Sequence, residues 1–227
     1  VIENKIRGIS EYHQIFMNAY EDINDPMDIK IIHIANAISA FIIKEWTSFD
    51  SPFDDFINGK TNALTPTQKR GMDLFYGKAQ CSSCHSGILF TDQKFYALAI
   101  PQFGPGRTRR MDPYTRDVGR MGESDNFEDM YKFKTPSLRN VSLTFPYGHN
   151  GAYPTLKGIV KHHLNPLQMY KNWEPSMANL PKAKWLEKID FVVFSDEMEQ
   201  KRLLSRIDIT PVNIDENEIN ELVSFLH

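Results

Sequence analysis

The feature that most constrains this chain is a pair of cysteines followed at once by a histidine. Cys81 and Cys84 are the two cysteines among 227 residues, and His85 follows the second. This C-x-x-C-H spacing is typical of covalent c-type haem attachment. On a tight turn both thiols can bond to the haem vinyl groups, and the next side chain then places an imidazole beside the iron. We therefore predict haem c on Cys81 and Cys84, with His85 as an axial ligand.

Two other uses of the cysteine pair compete with this interpretation. A redox-active disulfide would need a strand before the motif and a helix starting at it, whereas the sequence predicts a helix before Cys81 and a loop at Ser86-Gly87. A structural zinc site would need two more ligands, and the chain has no third cysteine. Since haem c is attached outside the cytoplasm, we predict a periplasmic or equivalent location. The first residues themselves show no basic start followed by an apolar run.

The charge balance excludes one class of partner. The chain carries 26 Lys+Arg against 29 Asp+Glu, a net charge of -3, which argues against a protein that binds nucleic acid by bulk electrostatics. Its 15 Phe, 9 Tyr and 3 Trp supply the apolar surface that a disordered chain lacks. Polar residues interrupt the most apolar stretch, residues 29–46, so we expect no membrane span.

Apolar residues at helical spacing predict helices before and after the motif. One covers residues 26–46, and a second begins at Thr65, where Gln68 completes a capping box. Others cover residues 154–164, capped by Thr155, and 216–226, capped by Asp215 and Glu218. The long irregular stretch 86–135 is expected to wrap a cofactor. We predict an all-α, cytochrome c-like helical haem domain with long irregular loops over residues 65–227, preceded by a helical segment, 1–64, that packs on it.

A histidine in the third of these helices is a candidate iron ligand. Leu156, Ile159, Val160 and His163 lie at i, i+3, i+4 and i+7, on one face, whereas His162 is expected to point away from it. A histidine on a buried apolar face must be hydrogen-bonded or bind a metal. With a haem expected nearby, we predict His163 as the second axial ligand. Two methionines in the following segment are the alternatives, Met169 and Met177.

Several longer strings resemble one protein family. They are Ser51-Pro52-Phe53-Asp54, Leu74-Phe75-Tyr76-Gly77 before the cysteines, Leu89-Phe90-Thr91-Asp92, Asp117-Val118-Gly119-Arg120, Phe133-Lys134-Thr135-Pro136-Ser137-Leu138-Arg139-Asn140-Val141 and Leu143-Thr144-Phe145-Pro146-Tyr147-Gly148-His149-Asn150-Gly151. In order and spacing they resemble the bacterial di-haem cytochrome c peroxidases and MauG-like enzymes over nearly the whole chain. The resemblance implies a periplasmic haem oxidoreductase.

The same resemblance implies that a second haem belongs to the functional unit. Family members carry two C-x-x-C-H motifs, and the single motif here resembles the second. The half with the peroxide-reacting haem would then be a separate or cleaved chain, a part outside this sequence, or lost. Segment 1–64 would be its remnant or contact it. The resemblance also implies a small periplasmic electron donor, a cytochrome c or a copper protein, and a homodimer.

Individual residues take their expected roles from the resemblance. His163 occupies the position of the second axial ligand, which is Met in the peroxidases and Tyr in MauG. A bis-histidine haem has a lower potential than a His/Met haem, because the thioether favours reduced iron. His149 matches a histidine near the same haem. It is expected to lie beside the iron ligands rather than to be one of them. The carbonyls of Thr144 and Pro146 match calcium ligands between the haems.

Two functions from different classes are consistent with these features. In the first, the chain is the electron-transfer part of a di-haem peroxidase or MauG-like enzyme and is inactive alone. In the second, it is a monohaem cytochrome c that carries electrons without chemistry of its own. The number of haems in the native unit distinguishes them.

Overall fold

The regular structure is helical apart from one small sheet. The computed structural model describes residues 1–46, 48–107 and 111–227. Its helices are α1 (Ile2–Arg7), α2 (Ser10–Ala19), α3 (Ile31–Trp46), α4 (Pro52–Ile57), α5 (Pro66–Tyr76), α6 (Met121–Ser124), α7 (Leu156–Leu164), α8 (Pro166–Lys171), α9 (Glu197–Leu204) and α10 (Glu216–Leu226). Strands β1 (Phe95–Tyr96) and β2 (Phe133–Lys134) pair antiparallel. The predicted all-α class is confirmed.

Within the described residues, no helix combines the length and apolarity that a bilayer crossing requires.

The chain divides into two compact units, Val1–Ser51 and Pro52–His227. The sequence-based division at residue 64 grouped α4 with the N-terminal segment, whereas α4 lies in the second unit. The reason is its contacts there: Asp54 pairs with Arg139 at 2.6 Å, and the Phe53 ring lies 5.4 Å from that of Phe90.

In the first unit, the helix predicted over residues 26–46 is interrupted. Pro26–Asp28 forms a separate 3₁₀ turn, in which the Asp25 side chain accepts from Met27 N. The backbone is extended at Ile29, and the Arg7 guanidinium donates to the Ile29 carbonyl at 2.6 Å. The extended backbone at Ile29 interrupts the helical hydrogen-bond pattern, so α3 begins at Ile31. The unit's core consists of Phe16, Ile23, Ile29 and Ile34.

In the second unit, α5 and α10 form the closest helix pair. Both predicted capping boxes are confirmed, Thr65 with Gln68 and Asp215 with Glu218. The helices cross at Gly71, where an added Cβ would lie 2.0 Å from the Glu221 carbonyl oxygen. Pairs of charges join the same two helices: Lys78 with Glu218 at 2.7 Å, and Arg70 with Glu221. This crossing fixes the helix that leads into the cysteine motif.

Buried charges anchor the long stretch 86–135. The Glu199 carboxylate of α9, 2% exposed, accepts from Tyr131 Oη at 2.6 Å and from Gln102 Nε2 at 3.2 Å, and pairs with Arg116 at 2.7 Å. Arg107 binds both Asp190 carboxylate oxygens at 2.6 Å. In the described parts of this stretch, buried side-chain contacts therefore add to the short elements β1, β2 and α6.

Candidate functional site

The end of α5 leads directly into the cysteine turn. Gly77 N and Ala79 N both donate to the Leu74 carbonyl, at 3.3 and 2.9 Å, which ends the helix. Gln80 then takes a left-handed conformation, φ 57°, and Cys81–Ser83 forms a 3₁₀ turn. His85 N closes this turn by donating to Cys81 O at 2.9 Å. The two thiols and the imidazole are thereby held on one tight turn, as attachment of a haem to both cysteines requires.

The chemistry of the thiols does not fit a redox dithiol. Both cysteines are free and half-buried, and burial raises the pKa of the Cys81 thiol to about 11. A redox-active cysteine needs the opposite shift, because the thiolate is the reactive form. A helix rather than a strand precedes the motif. The zinc alternative lacks ligands too, since the described part of the chain contains no group of three or more His, Cys, Asp or Glu placed to hold a metal ion.

One nitrogen of the His85 ring is committed to the backbone. Its Nδ1–H donates to the Phe90 carbonyl at 3.1 Å, so the Nε2 atom of the neutral ring carries the lone pair. Burial lowers the pKa of His85, while hydrogen bonding to the Phe90 and Pro136 carbonyls acts in the opposite direction. A neutral imidazole with a fixed tautomer is the form that binds iron.

His163 presents the same arrangement from α7. Its Nδ1–H donates to the Ile159 carbonyl at 2.9 Å, which again leaves the lone pair on Nε2. Burial lowers the pKa of His163, and the nearby His85 lowers it further. The predicted cap of this helix is confirmed, because Thr155 Oγ1 accepts from Gly158 N at 3.1 Å.

The two imidazoles are separated by the distance that one shared metal requires. The ring centres of His85 and His163 lie 6.2 Å apart, with an interplanar angle of 59°. Two imidazoles that bind a metal from opposite sides have ring centres about 6.2 Å apart, because each metal–nitrogen bond is about 2.0 Å and each ring centre lies about 1.1 Å beyond. Together with the two free thiols on the adjacent turn, these residues fit a covalently held haem.

His162 corrects an expectation drawn from helical periodicity. His162 was expected to point away from the apolar face of α7, yet its side chain is fully buried. Its Nε2–H donates to the Leu98 carbonyl at 2.6 Å, and its Nδ1 accepts from Tyr153 Oη at 2.7 Å. Desolvation lowers its pKa to about 3, so the ring is neutral. With both nitrogens engaged, His162 is a structural histidine of the core.

Replacement of His162 by alanine should therefore be costly. The change leaves a cavity and removes the partners of the Leu98 carbonyl and the Tyr153 hydroxyl, so we expect a loss of about 3 kcal/mol in the free energy of unfolding. Urea unfolding followed by circular dichroism measures this loss. His227→Ala, at an exposed position, is the control and should change stability by less than about 0.5 kcal/mol. Equal midpoints for the two variants would contradict the structural role.

The other predicted site residues lie in the loop before α7 and in the segment after it. The His149 ring stacks on Phe133 with ring centres 3.5 Å apart, and its Nε2 lies 3.3 Å from Asp117 Oδ2. Thr144 ends a 3₁₀ turn over Val141–Leu143. Pro146 follows two residues later. Their proposed roles, near the haem for His149 and in calcium binding for Thr144 and Pro146, stay predictions.

The alternative methionine ligands lie in a different environment from His163. Met169 and Met177 are partly buried and pack against the hydrophobic cluster that includes Ile100, Phe103 and Trp173. This packing accounts for both side chains without a metal.

Comparison with known proteins finds relatives among the cytochrome c peroxidases and the MauG proteins. A family model described as di-haem cytochrome c peroxidase matches residues 1–62. The cytochrome-c peroxidase IdrP1 of Pseudomonas sp. (strain SCT) is 35% identical over 70% of this chain and 46% of its own length. These matches support a similarity of the chain to the di-haem cytochrome c peroxidase/MauG family. The methylamine utilization protein MauG of Methylophilus methylotrophus is 26% identical over 92% of this chain and 58% of that protein.

The fold comparison gives the same architecture. The di-haem peroxidase BthA from Burkholderia thailandensis E264 matches with a TM-score of 0.61 and 24% identity, over 89% of this chain and 51% of BthA. That similarity shows a shared fold. The chain spans about half the length of the curated peroxidases it matches, 46% for IdrP1.

Two features near the site were missed by the sequence reasoning. One is the buried hydrogen bonding of His162. The other is the ion pair between Asp54 and Arg139, whose side chains are 6% and 11% exposed. Both residues lie in strings that resemble the family, Ser51-Pro52-Phe53-Asp54 and Ser137-Leu138-Arg139, but nothing in either string indicates that the two pair across 85 positions.

Proposed function

We propose that this chain carries the electron-transfer haem of a periplasmic oxidoreductase of the di-haem cytochrome c peroxidase/MauG type. Cys81 and Cys84 would hold the haem covalently, and His85 and His163 would bind its iron. When bound, the haem supplies one-electron redox chemistry. The observation that carries the proposal is the 6.2 Å separation of the His85 and His163 rings, each with Nδ1 bound to a carbonyl.

The role of the protein is to hold and insulate the redox group. The carbonyls of Phe90 and Ile159 fix the tautomers of the two imidazoles, so that each offers Nε2 to iron. With both His85 and His163 bound to the iron, no position would be left for peroxide. For this reason the chain alone should lack peroxidase activity, and a peroxide-reacting haem must lie elsewhere in the functional unit.

The proposed partner is a first-haem half, in a separate chain or in a further part of the same one. Two observations support it. The family model matches residues 1–62, ahead of the cysteine motif, and the chain covers 46% of IdrP1. In addition, α3 has Ile38 and Ile42 exposed at 55% and 40%; they lie one turn apart and form an apolar face that suits a protein contact. A small cytochrome c or copper protein as electron donor, a homodimer, and calcium at the carbonyls of Thr144 and Pro146 complete the proposal.

A monohaem electron carrier is the second candidate. The single cysteine pair of the sequence favours it. The native complex, purified from its source, decides by its haem content: two haems per unit support the enzyme, and one haem without a second haem-bearing chain supports the carrier.

The haem-binding site is tested by producing the chain with c-type haem maturation. We expect one covalently bound haem per chain, a six-coordinate low-spin ferric spectrum, and no peroxide turnover. Colourless protein, or a high-spin spectrum, would contradict the proposed ligand set.

Loss of both thiols should abolish covalent attachment. In Cys81→Ser/Cys84→Ser, haem should become extractable by acidified acetone and haem staining of denaturing gels should disappear, because the thioether bonds can no longer form. The control is Ser82→Ala, which lies within the same turn and should stain as the wild type does. Retention of haem stain in the double variant would show attachment at another residue.

A further inference from the structure

Three consecutive carbonyls beside the cysteine motif are each bound by a side chain. Ile88 O accepts from Arg139 Nε at 2.9 Å, Leu89 O from Ser137 Oγ at 2.6 Å, and Phe90 O from His85 Nδ1 at 3.1 Å. The segment that contains Ser137 and Arg139 therefore clamps the loop that orients the His85 imidazole.

The Phe90 carbonyl is held in place by more than its hydrogen bond. Phe90 has a left-handed backbone, φ 52°, which costs a non-glycine residue about 1 kcal/mol or more and persists only where the surroundings enforce it. Its ring packs against those of Phe53 and Phe75, with centres 5.4 and 6.0 Å away. The Arg139 guanidinium lies 5.3 Å from the same ring centre.

Arg139 is in turn held by a buried carboxylate. Its Nη1 donates to both oxygens of Asp54, at 2.9 and 2.6 Å. The two side chains are 11% and 6% exposed, so water and salt screen their charges weakly. Either charge alone would change the electrostatic potential around it. The opposite charges of Asp54 and Arg139 together largely cancel this effect.

We propose that Asp54 and Arg139 are positioning residues for His85, and that their balanced charges set the reduction potential of the iron it binds. This inference rests on the proposed function, because it assumes haem iron on His85. Oxidised iron carries one more positive charge than reduced iron. A net negative charge near the site therefore favours the oxidised form and lowers the potential, and a net positive charge raises it.

The test compares midpoint potentials of haem-loaded variants. Arg139→Gln, which leaves the Asp54 anion, should lower the potential, and Asp54→Asn, which leaves the Arg139 cation, should raise it. The double variant should return toward the wild-type value. A purely structural pair would not shift the potential in opposite directions.

A second buried pair provides the matched control. Arg107 and Asp190 form a bidentate pair, and Arg107 also donates to the Pro181 carbonyl; none of the hydrogen bonds described for this pair reaches residues 88–90. Arg107→Gln and Asp190→Asn should reduce stability yet leave the potential close to that of the wild type.

A conservative variant keeps the inference testable if a single variant fails to fold. Arg139→Lys retains the charge but loses the fork that binds Asp54 and Ile88 together. We expect a near wild-type potential but altered g-values in the low-spin electron paramagnetic resonance spectrum, because the His85 ring is less well oriented. Unchanged g-values, or shifts of the same sign in Arg139→Gln and Asp54→Asn, would overturn the inference. Wild-type protein without low-spin haem would instead refute the proposed function.

Discussion

In the haem-loaded chain, His163→Gly is expected to convert low-spin ferric iron into a high-spin species that binds added imidazole. His163 is the side chain whose ring centre lies 6.2 Å from that of His85, and glycine cannot replace its nitrogen. The Ile159 carbonyl that orients it is part of α7 and would remain. Absorption and electron paramagnetic resonance spectra follow the spin state, and titration with imidazole measures the new binding site.

Two controls test whether the effect is specific to His163. Met169→Leu should retain the wild-type low-spin spectrum, because Met169 packs in a hydrophobic cluster. His162→Ala should lose stability yet remain low-spin when folded, because both nitrogens of His162 bind protein groups. A low-spin spectrum in His163→Gly without added imidazole would remove His163 from the ligand set.

Gly71→Ala should destabilise the second unit strongly. The new methyl carbon would lie 2.0 Å from the Glu221 carbonyl oxygen and 2.9 Å from Phe225 Cβ, so α5 and α10 would have to move apart. Separation weakens the packing of Phe75 and Leu222, both almost fully buried. We expect a loss of about 3 kcal/mol in the free energy of unfolding, measured by urea unfolding, and reduced haem incorporation.

Gly122→Ala in α6 is the matched control. Its new Cβ would meet Val118 Cγ2 at 3.6 Å, an ordinary contact, so stability should stay within about 0.5 kcal/mol of the wild type. If Gly71→Ala unfolded at the same urea concentration as Gly122→Ala, the close approach of α5 and α10 would be wrong.

Local signals explain what could be predicted from the sequence. Caps act within one turn of chain, so Thr65, Thr155 and Asp215 mark the starts of α5, α7 and α10 correctly. The helical repeat placed His163 on the same face as Ile159. The C-x-x-C-H motif, the strongest signal of all, predicted a turn that presents two thiols and an imidazole together.

Long-range pairing explains what could not be predicted. Periodicity put His162 on the solvent side, but α7 is covered there as well, by Leu98 and Tyr153. The prediction of one helix over residues 26–46 could not include the hydrogen bond from Arg7 to Ile29 O, because the two residues are 22 positions apart. The pairs Asp54–Arg139 and Arg107–Asp190 join residues 85 and 83 positions apart, and no local pattern indicates such partners.

The crossing of α5 and α10 bears on the order of events during maturation. The Lys78–Glu218 and Arg70–Glu221 pairs close loops of 140 and 151 residues, and contacts between such distant parts of a chain form slowly. The turn with Cys81 and Cys84 thus gains its main support late in folding. If haem is attached to these thiols as proposed, they would until then lie on a peptide not yet fixed by α10 and would be accessible to the machinery that attaches it.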